Sequence, residues 1–251
     1  MIPKILHYCW FGKGEKPPVF HQCMESWKQF CPDFEIIEWN ESNSKSFQNK
    51  FYKDAIRKKK YAFASDCIRV QALYEKGGIY LDTDMLLLKP VDILLNNKFF
   101  TGLEVADRPA YGFFGSVPGH PFLKHMVAFY KSTEFNQFAP PVITHAFSAV
   151  INEQSLGPND TIFPTPFFYA VPYEKRDEDY SQFITKDAYA VHLWDHSWKP
   201  ARKETIGSLL EKLGTVMNDY LFHGYSYSFF KRYFREFSRK LWHRMINKKQ
   251  S

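Results

Sequence analysis

Two carboxylates one residue apart, Asp82 and Asp84, close the stretch Gly77-Gly78-Ile79-Tyr80-Leu81-Asp82-Thr83-Asp84. Ile79 to Leu81 predicts a short buried strand, because it is apolar, β-prone and preceded by two glycines. In extended backbone an i, i+2 spacing points both carboxylates to one side, with Thr83 on the other. Two hard anionic oxygen ligands at a strand end suit Mg²⁺ or Mn²⁺. Such a site keeps positions open for the oxygens of a diphosphate, so the stretch points to chemistry on a nucleotide-linked substrate. Asp is also common where strands end in turns, and a plain turn is the competing reading. The Gly-Gly turn and strand favour the metal, since they deliver the pair to a sheet edge of the kind where open α/β folds bind ligands.

Three further constellations could serve that chemistry. Asp66 and Arg69 lie i, i+3 in Tyr61-Ala62-Phe63-Ala64-Ser65-Asp66-Cys67-Ile68-Arg69. On a helix they share a face. At a surface such a pair contributes a few tenths of a kcal/mol, about 0.3–0.5. Inside an apolar segment the Arg can instead fork onto a phosphate or carboxylate. Downstream, His192-Leu193-Trp194-Asp195-His196-Ser197-Trp198 gathers two imidazoles, a carboxylate and a hydroxyl at a late strand end. It can complete a metal site begun by Asp82 and Asp84, or be an aromatic loop with hydrogen-bonded histidines. Near the N-terminus, Tyr8 and Trp10 place aromatics at the end of a first strand, where a ring can stack on a planar base or belong to the core.

These residues need a framework. Ile5 to Trp10 predicts a first strand, Pro18 to Phe30 a helix and Phe34 to Trp39 a second strand. That order implies a parallel α/β sheet. Phe51 to Lys76 predicts helix in two pieces, closed by Gly77-Gly78. Phe99 to Glu104 and Tyr111 to Ser116 predict strands around an Asp107-Arg108-Pro109 turn. Pro121 to Lys131 predicts a helix and Ala188 to Trp194 a late strand. From Glu204 onward the pattern is helical. In the tail, Phe229, Phe230, Tyr233, Phe234, Phe237, Leu241, Trp242 and Met245 recur at helical spacing. Lys231, Arg232, Arg235, Arg239, Lys240, Arg244, Lys248 and Lys249 fill the gaps. A basic helix with an aromatic face reads as lying on an anionic membrane surface. Packing on the catalytic domain competes with that reading. Nucleic-acid binding is weaker still, for lack of any reader motif.

The bulk properties are compatible. A chain of 251 residues fits one sizeable domain with an appendage, and 45% hydrophobic content supports a core. The net charge of +6 is concentrated towards the C-terminus. No run of about 20 apolar residues predicts a spanning helix. The N-terminus enters a strand without a signal-peptide apolar region. Cys9, Cys23, Cys31 and Cys67 lack metal-ligand spacing and read as free thiols of a reducing cytoplasm.

Three blocks resemble glycosyltransferase family 32: Ile2 to Gly12, Ala62 to Arg69 and Leu73 to Asp84. That family includes bacterial capsule and O-antigen sugar transferases, and the clostridial glucosylating toxins are distant relatives. Gly119-His120-Pro121-Phe122 and the His192 to Trp198 segment look like later family blocks. The resemblance implies a GT-A type fold, a Rossmann-like α/β/α nucleotide-sugar-binding domain over residues 1–203, with a helical extension over 204–251. It implies a UDP-linked sugar donor and Mn²⁺ or Mg²⁺. Asp82 and Asp84 would meet ribose and diphosphate-bound metal, and Trp10, with Tyr8 nearby, would stack on the base. Asp66 and Arg69 would hold the donor sugar and diphosphate. His192 or Ser197 would complete the metal shell, and Trp198 would stand near the leaving diphosphate. The implied activity is retaining transfer of a hexose or N-acetylhexosamine to a saccharide, lipid-linked acceptor, at the cytoplasmic face of the cell membrane. Asp107 to Tyr111 and Pro140-Pro141 would contribute to the acceptor side.

Two other functions remain open to these residues. A nucleotidyl- or phosphotransferase could use the same Asp pair, although no P-loop or glycine-rich phosphate loop is present. A non-catalytic membrane-binding module would make the tail the function and the Asp pair a turn.

Overall fold

The computed structural model describes residues 1–45, 49–105, 108–135, 141–144, 147, 151, 156–195, 205–222 and 227–247. The chain divides into two compact units, one of Met1–Phe135 with Pro141–Trp198, the other of Asn136–Pro140 with Lys199–Ser251.

The first unit is built on a six-stranded sheet of order β2-β1-β3-β6-β5-β7. Strand β1 is Ile5–Cys9, β2 Glu35–Trp39 and β3 Gly78–Leu81. Strand β5 is Phe99–Val105, β6 Arg108–Ser116 and β7 Asp160–Phe163. β1 pairs in parallel with both β2 and β3, as the opening strand-helix-strand order predicts. β6 runs antiparallel between β3 and β5. The expected Asp107-Arg108-Pro109 turn is shorter than predicted, because Arg108 and Pro109 already pair within β6. A second sheet has two antiparallel strands, β4 (Met85–Leu87) and β8 (Ala190–His192).

The helices that cover this sheet include α1 (Pro18–Phe30), α2 (Lys50–Arg57), α3 (Tyr61–Lys76) and α4 (Pro121–Ser132). The sheet buries both faces, so its strands read as nearly continuous apolar runs. Side-chain alternation sorts them. Tyr80, Phe99, Tyr111 and Phe114 pack with α2, α3 and α4. Ile79, Leu81, Phe100 and Phe113 pack with α1 and the small sheet. The result is the Rossmann-like α/β arrangement expected of a GT-A type domain.

Helix α3 is the central strut. Ala64, Asp66, Cys67, Ile68, Arg69, Val70, Ala72 and Leu73 are all buried, so little of its interior meets water. Its amide ladder ends at Gly77, with φ of 67°, followed by Gly78 at 104°. A Cβ on Gly78 would stand 2.6 Å from the Ile5 carbonyl oxygen, so only glycine lets β3 enter beside β1. His7 ties the same strands. Its Nε2 bonds the Gly77 carbonyl at 2.8 Å, and its Nδ1 accepts from Trp39 Nε1 at 3.1 Å. All four cysteines are free and buried.

In the second unit, α5 (Ile206–Phe222) and α6 (Tyr227–Asn247) pack on each other, with Tyr220 stacked on Phe230 at 5.0 Å. The helical pattern expected from Glu204 onward is what these two helices realise. Among the described residues no helix is long and apolar enough to cross a membrane.

Candidate active site

The two acids do not sit in extended backbone. Leu81 ends β3, Met85 begins β4, and the Met85 amide donates to the Asp82 carbonyl at 3.0 Å, closing a four-residue turn. The extended backbone that the i, i+2 spacing presumes does not continue past Leu81, because the chain leaves one sheet for the other at this point. Each acid is held by a different set of partners.

Asp82 belongs to the large sheet. Its amide donates to the Gly112 carbonyl at 2.7 Å. Its Oδ1 accepts from the Tyr80 hydroxyl at 3.0 Å and lies 3.1 Å from one Arg69 terminal nitrogen. The other terminal nitrogen of Arg69 is 3.5 Å from Asp82 Oδ2 and donates to the Tyr111 carbonyl at 2.8 Å. The fork also reaches Asp66 Oδ1 at 3.3 Å, and its carbon lies 4.4 Å from the centre of the Tyr80 ring. Arg69 Nε is buried with no hydrogen-bond partner among the described residues. Asp66 and Arg69 are thus a buried pair, not a surface one, and Arg69 bridges both acids. Gly112 makes room, since a Cβ there would meet Asp82 Oδ2 at 2.7 Å. The Tyr169 hydroxyl fixes this strand by accepting from the amides of Gly112 and Phe113 at 3.1 and 3.0 Å, and would lie 3.2 Å from the same Cβ.

Asp84 belongs to the small sheet. Its Oδ1 bonds His192 Nε2 at 3.1 Å, and its carbonyl accepts the Leu193 amide at 2.9 Å. His192 Nδ1 has no partner among the described residues. Tyr169 and Trp194 pack edge-on against the imidazole, Trp194 at 4.0 Å. Trp194 has φ of 56°, uncommon for a bulky residue, and is braced by its Nε1 donating to the Val171 carbonyl at 2.9 Å.

The charges follow from this packing. Burial pushes the Asp66 carboxyl up to about 7 despite Arg69, with Asp82 adding to the rise. Arg69 stays ionised: burial works against it, but Asp82, Tyr80 and Asp66 hold its pKa well above the usual value. Burial likewise opposes charge on His192, but Asp84, by its charge and hydrogen bond, holds that imidazole above the ordinary range.

The remaining expected site residues divide. Tyr8 does not offer a stacking face. Its ring is buried between Phe20 and Trp27, and only its hydroxyl emerges, donating to Glu38 at 2.6 Å beside Lys16. Trp10, just past β1, is half-buried, with Nε1 donating to the Gly14 carbonyl at 3.0 Å. His196, Ser197, Trp198, Asp107 and Pro140 lie outside the described residues. Sequence reasoning missed Tyr80, Gly112 and Tyr169. Tyr80 could have been found, since it precedes Asp82 by two residues in the strand period; Tyr169 has no sequence signal.

A divalent cation suits the donors of the Asp pair, which are hard carboxylate oxygens, half-buried on Asp82 and buried on Asp84. Among the described residues no three His, Cys, Asp or Glu side chains form a metal cluster. The expected set of Asp82, Asp84 and His192 is therefore not a closed cage. His192 uses its Nε2 to orient Asp84, as supporting groups behind metal ligands do. Two carboxylates with substrate oxygens completing the shell is the usual way Mg²⁺ is held in phosphate chemistry.

Comparison with known proteins finds matches over the regions that contain these residues. Residues 17–100 match the glycosyltransferase sugar-binding region containing the DXD motif, which includes Asp66, Arg69, Asp82 and Asp84. Residues 117–215 match the alpha 1,4-glycosyltransferase conserved region, which includes His192. The chain is similar to the alpha-1,4-N-acetylglucosaminyltransferase of Homo sapiens, 25% identical over 206 residues, 74% of this chain and 56% of that protein. It is also similar to inositol phosphoceramide mannosyltransferase 3 of Schizosaccharomyces pombe, 28% identical over 143 residues, 55% of this chain and 40% of that one. The chain thus spans about half the length of these curated relatives. Among solved structures, a glycosyltransferase involved in glycosylation of the PBCV-1 major capsid aligns over 78% of this chain and 95% of that chain, with 13% identity and a TM-score of 0.49.

Proposed function

We propose that this chain, which falls within the glycosyltransferase superfamily, moves a hexose or N-acetylhexosamine from a UDP-linked donor to a saccharide acceptor carried on a lipid. The observation that carries the proposal is the turn at Asp82 and Asp84. It presents two carboxylates, one backed by Arg69 and Tyr80 and the other by His192, inside the segment that matches the DXD sugar-binding region. The family-32 resemblance refines the reading towards capsule or O-antigen synthesis, with residues 1–203 as the catalytic domain.

What a bound Mn²⁺ or Mg²⁺ supplies at the pair is charge neutralisation on the departing diphosphate. Arg69, fixed on Asp82 and the Tyr111 carbonyl, holds the Asp82 carboxylate in one orientation before substrate arrives. His192 does the same for Asp84. Such pre-set charge costs no reorganisation during the reaction. Among the described residues no side chain stands out as a covalent nucleophile. The acceptor hydroxyl attacks the anomeric carbon on the face the diphosphate leaves, the anomeric C–O bond breaks, and the acceptor proton passes to the leaving phosphate oxygen. The configuration is retained. A trapped glycosyl-enzyme adduct would overturn this step.

Location is proposed from the second unit. Ile206, Leu210, Met217 and Leu221 are exposed along α5, as are Phe234 and Trp242 on α6 beside Lys231, Arg235 and Arg239. Such a surface suits an anionic membrane, and this would hold the enzyme at the inner face of the cell membrane.

A thermal-shift series of nucleotide sugars with and without Mn²⁺ tests the activity class. A donor stabilises the fold by mass action, and the metal deepens the shift. Asp84→Ala is expected to abolish the metal-dependent part and turnover while the protein still melts cooperatively. Undiminished transfer by that variant would refute the role of the pair. Release of nucleoside diphosphate distinguishes sugar transfer from nucleotidyl or phosphoryl transfer.

A further inference from the structure

A hollow of about 210 Å³ opens beside His192. Its walls include Gln22 from α1, Arg176, Glu178 and Tyr180 from the segment after β7, and His192 and Trp194 from the end of β8. Small-molecule pockets run to about 300–1,000 Å³ for drug-sized ligands. This one is too small for a nucleoside diphosphate sugar and is of the size for a single ring.

The lining has two kinds of surface. Trp194 and Tyr180 contribute aromatic rings. Gln22, Arg176 and Glu178 offer amide, guanidinium and carboxylate groups, which together donate and accept hydrogen bonds. That mixture matches a pyranose, whose C–H face is apolar and whose rim is hydroxyl. Arg176 is itself held in place, with its guanidinium carbon 4.6 Å over the Tyr173 ring and a hydrogen bond to the Tyr173 carbonyl at 3.1 Å. Tyr173 in turn meets Trp194 edge-on at 5.4 Å.

The backbone at Trp194 adds a second, independent sign. A residue other than glycine in the left-handed region costs of order 1 kcal/mol or more, and such strain concentrates at ligand sites. The strained conformation here holds the indole 4.0 Å from the His192 ring and at the wall of the hollow. His192 is bonded to Asp84. A ring in the hollow therefore lies one side chain away from the acid assigned to the donor diphosphate.

We infer that this hollow is the acceptor subsite, binding one pyranose unit of the acceptor glycan between Trp194 and the Gln22, Arg176 and Glu178 rim. The inference rests on the glycosyltransferase reading, because it assigns the ring to the acceptor. Binding is tested on the whole chain by saturation-transfer NMR with the methyl glycosides of galactose, glucose and N-acetylglucosamine as probes, alongside separate titrations of UDP with Mn²⁺. At least one glycoside is expected to bind. Arg176→Ala with Glu178→Ala, and separately Trp194→Phe, are expected to weaken it tenfold or more, and the Arg176 and Glu178 pair is expected to leave UDP affinity within twofold. The charge-removing pair lies on the surface and guards against misfolding of the Trp194 variant. Absence of glycoside binding to the unaltered protein, or binding unchanged in both variants, overturns the subsite. Glycoside binding that obeys these substitutions in a protein with no affinity for UDP keeps the sugar subsite and defeats its assignment to an acceptor.

Discussion

The Asp82 amide donates to the Gly112 carbonyl at 2.7 Å, and a Cβ on Gly112 would stand 2.7 Å from Asp82 Oδ2. One residue thus anchors the backbone of Asp82 and leaves room for its carboxylate. Gly112→Ala is expected to push that carboxylate off the Arg69 fork. Activity should fall about tenfold or more, as for any misplaced catalytic group, and the melting temperature should fall as well, because buried Arg69 loses one of its two acid partners and the same methyl crowds the Tyr169 hydroxyl at 3.2 Å. Full activity in this variant would show that Asp82 need not hold its place.

Arg69 is the only cation in contact with both Asp66 and Asp82 among the described residues. Arg69→Met should cost about 3–5 kcal/mol in urea unfolding, the usual effect of stripping one partner from a buried ion pair. Asp66→Asn should cost less at neutral pH, since burial already pushes Asp66 up to about 7 and leaves it part-protonated. Equal losses for the two would contradict this ordering.

His7 sets an acid limit on stability. Burial lowers its pKa from 6.5 to about 4, with the charge of Lys76 adding to the fall and the Gly77 bond opposing it. Below pH 6.5 the unfolded chain takes up a proton that the folded chain refuses, so stability is present above 6.5 and is lost as pH falls towards 4. The loss is about 3 kcal/mol by linkage. Chemical denaturation at pH 7.5, 5.5 and 4.5 should show the gap between the unaltered protein and His7→Gln narrowing with acid. A constant gap would exclude His7 as the cause.

The membrane proposal depends on exposed apolar side chains of the helical pair. Leu221→Asp with Trp242→Asp should reduce flotation with anionic vesicles about tenfold, and added salt should weaken the unaltered protein as well. Removal of residues 205–251 should abolish flotation. Persistent flotation of that shortened chain would place the membrane contact elsewhere.

The framework was legible because its signals are local. Pro18 opening α1, the apolar 3.6-residue pattern of α3 and the Gly77-Gly78 stop all act through neighbouring residues. Asp66 and Arg69 were legible as a pair because charged groups in an apolar segment need partners, whereas the contact of Arg69 with Asp82 comes only from the fold. The turn at Asp82 to Met85 was not legible. Whether β4 continues the first sheet or starts another depends on pairing with β8, more than 100 residues later, and spacing within one strand carries no trace of that. The burial of Tyr8 escaped for a related reason: strand alternation gives a face, and only packing by Phe20 and Trp27 says that the face is filled.

The division of the two acids between two sheets has a mechanical consequence. Asp82 is tied to β3 and β6, and Asp84 is tied to β8 through His192 and Leu193. The single residue between them, Thr83, joins two carboxylates anchored on separate plates, like the two jaws of a caliper. Substitutions in the two-stranded plate would retune the opening one jaw at a time, without disturbing the Arg69 buttress on the other.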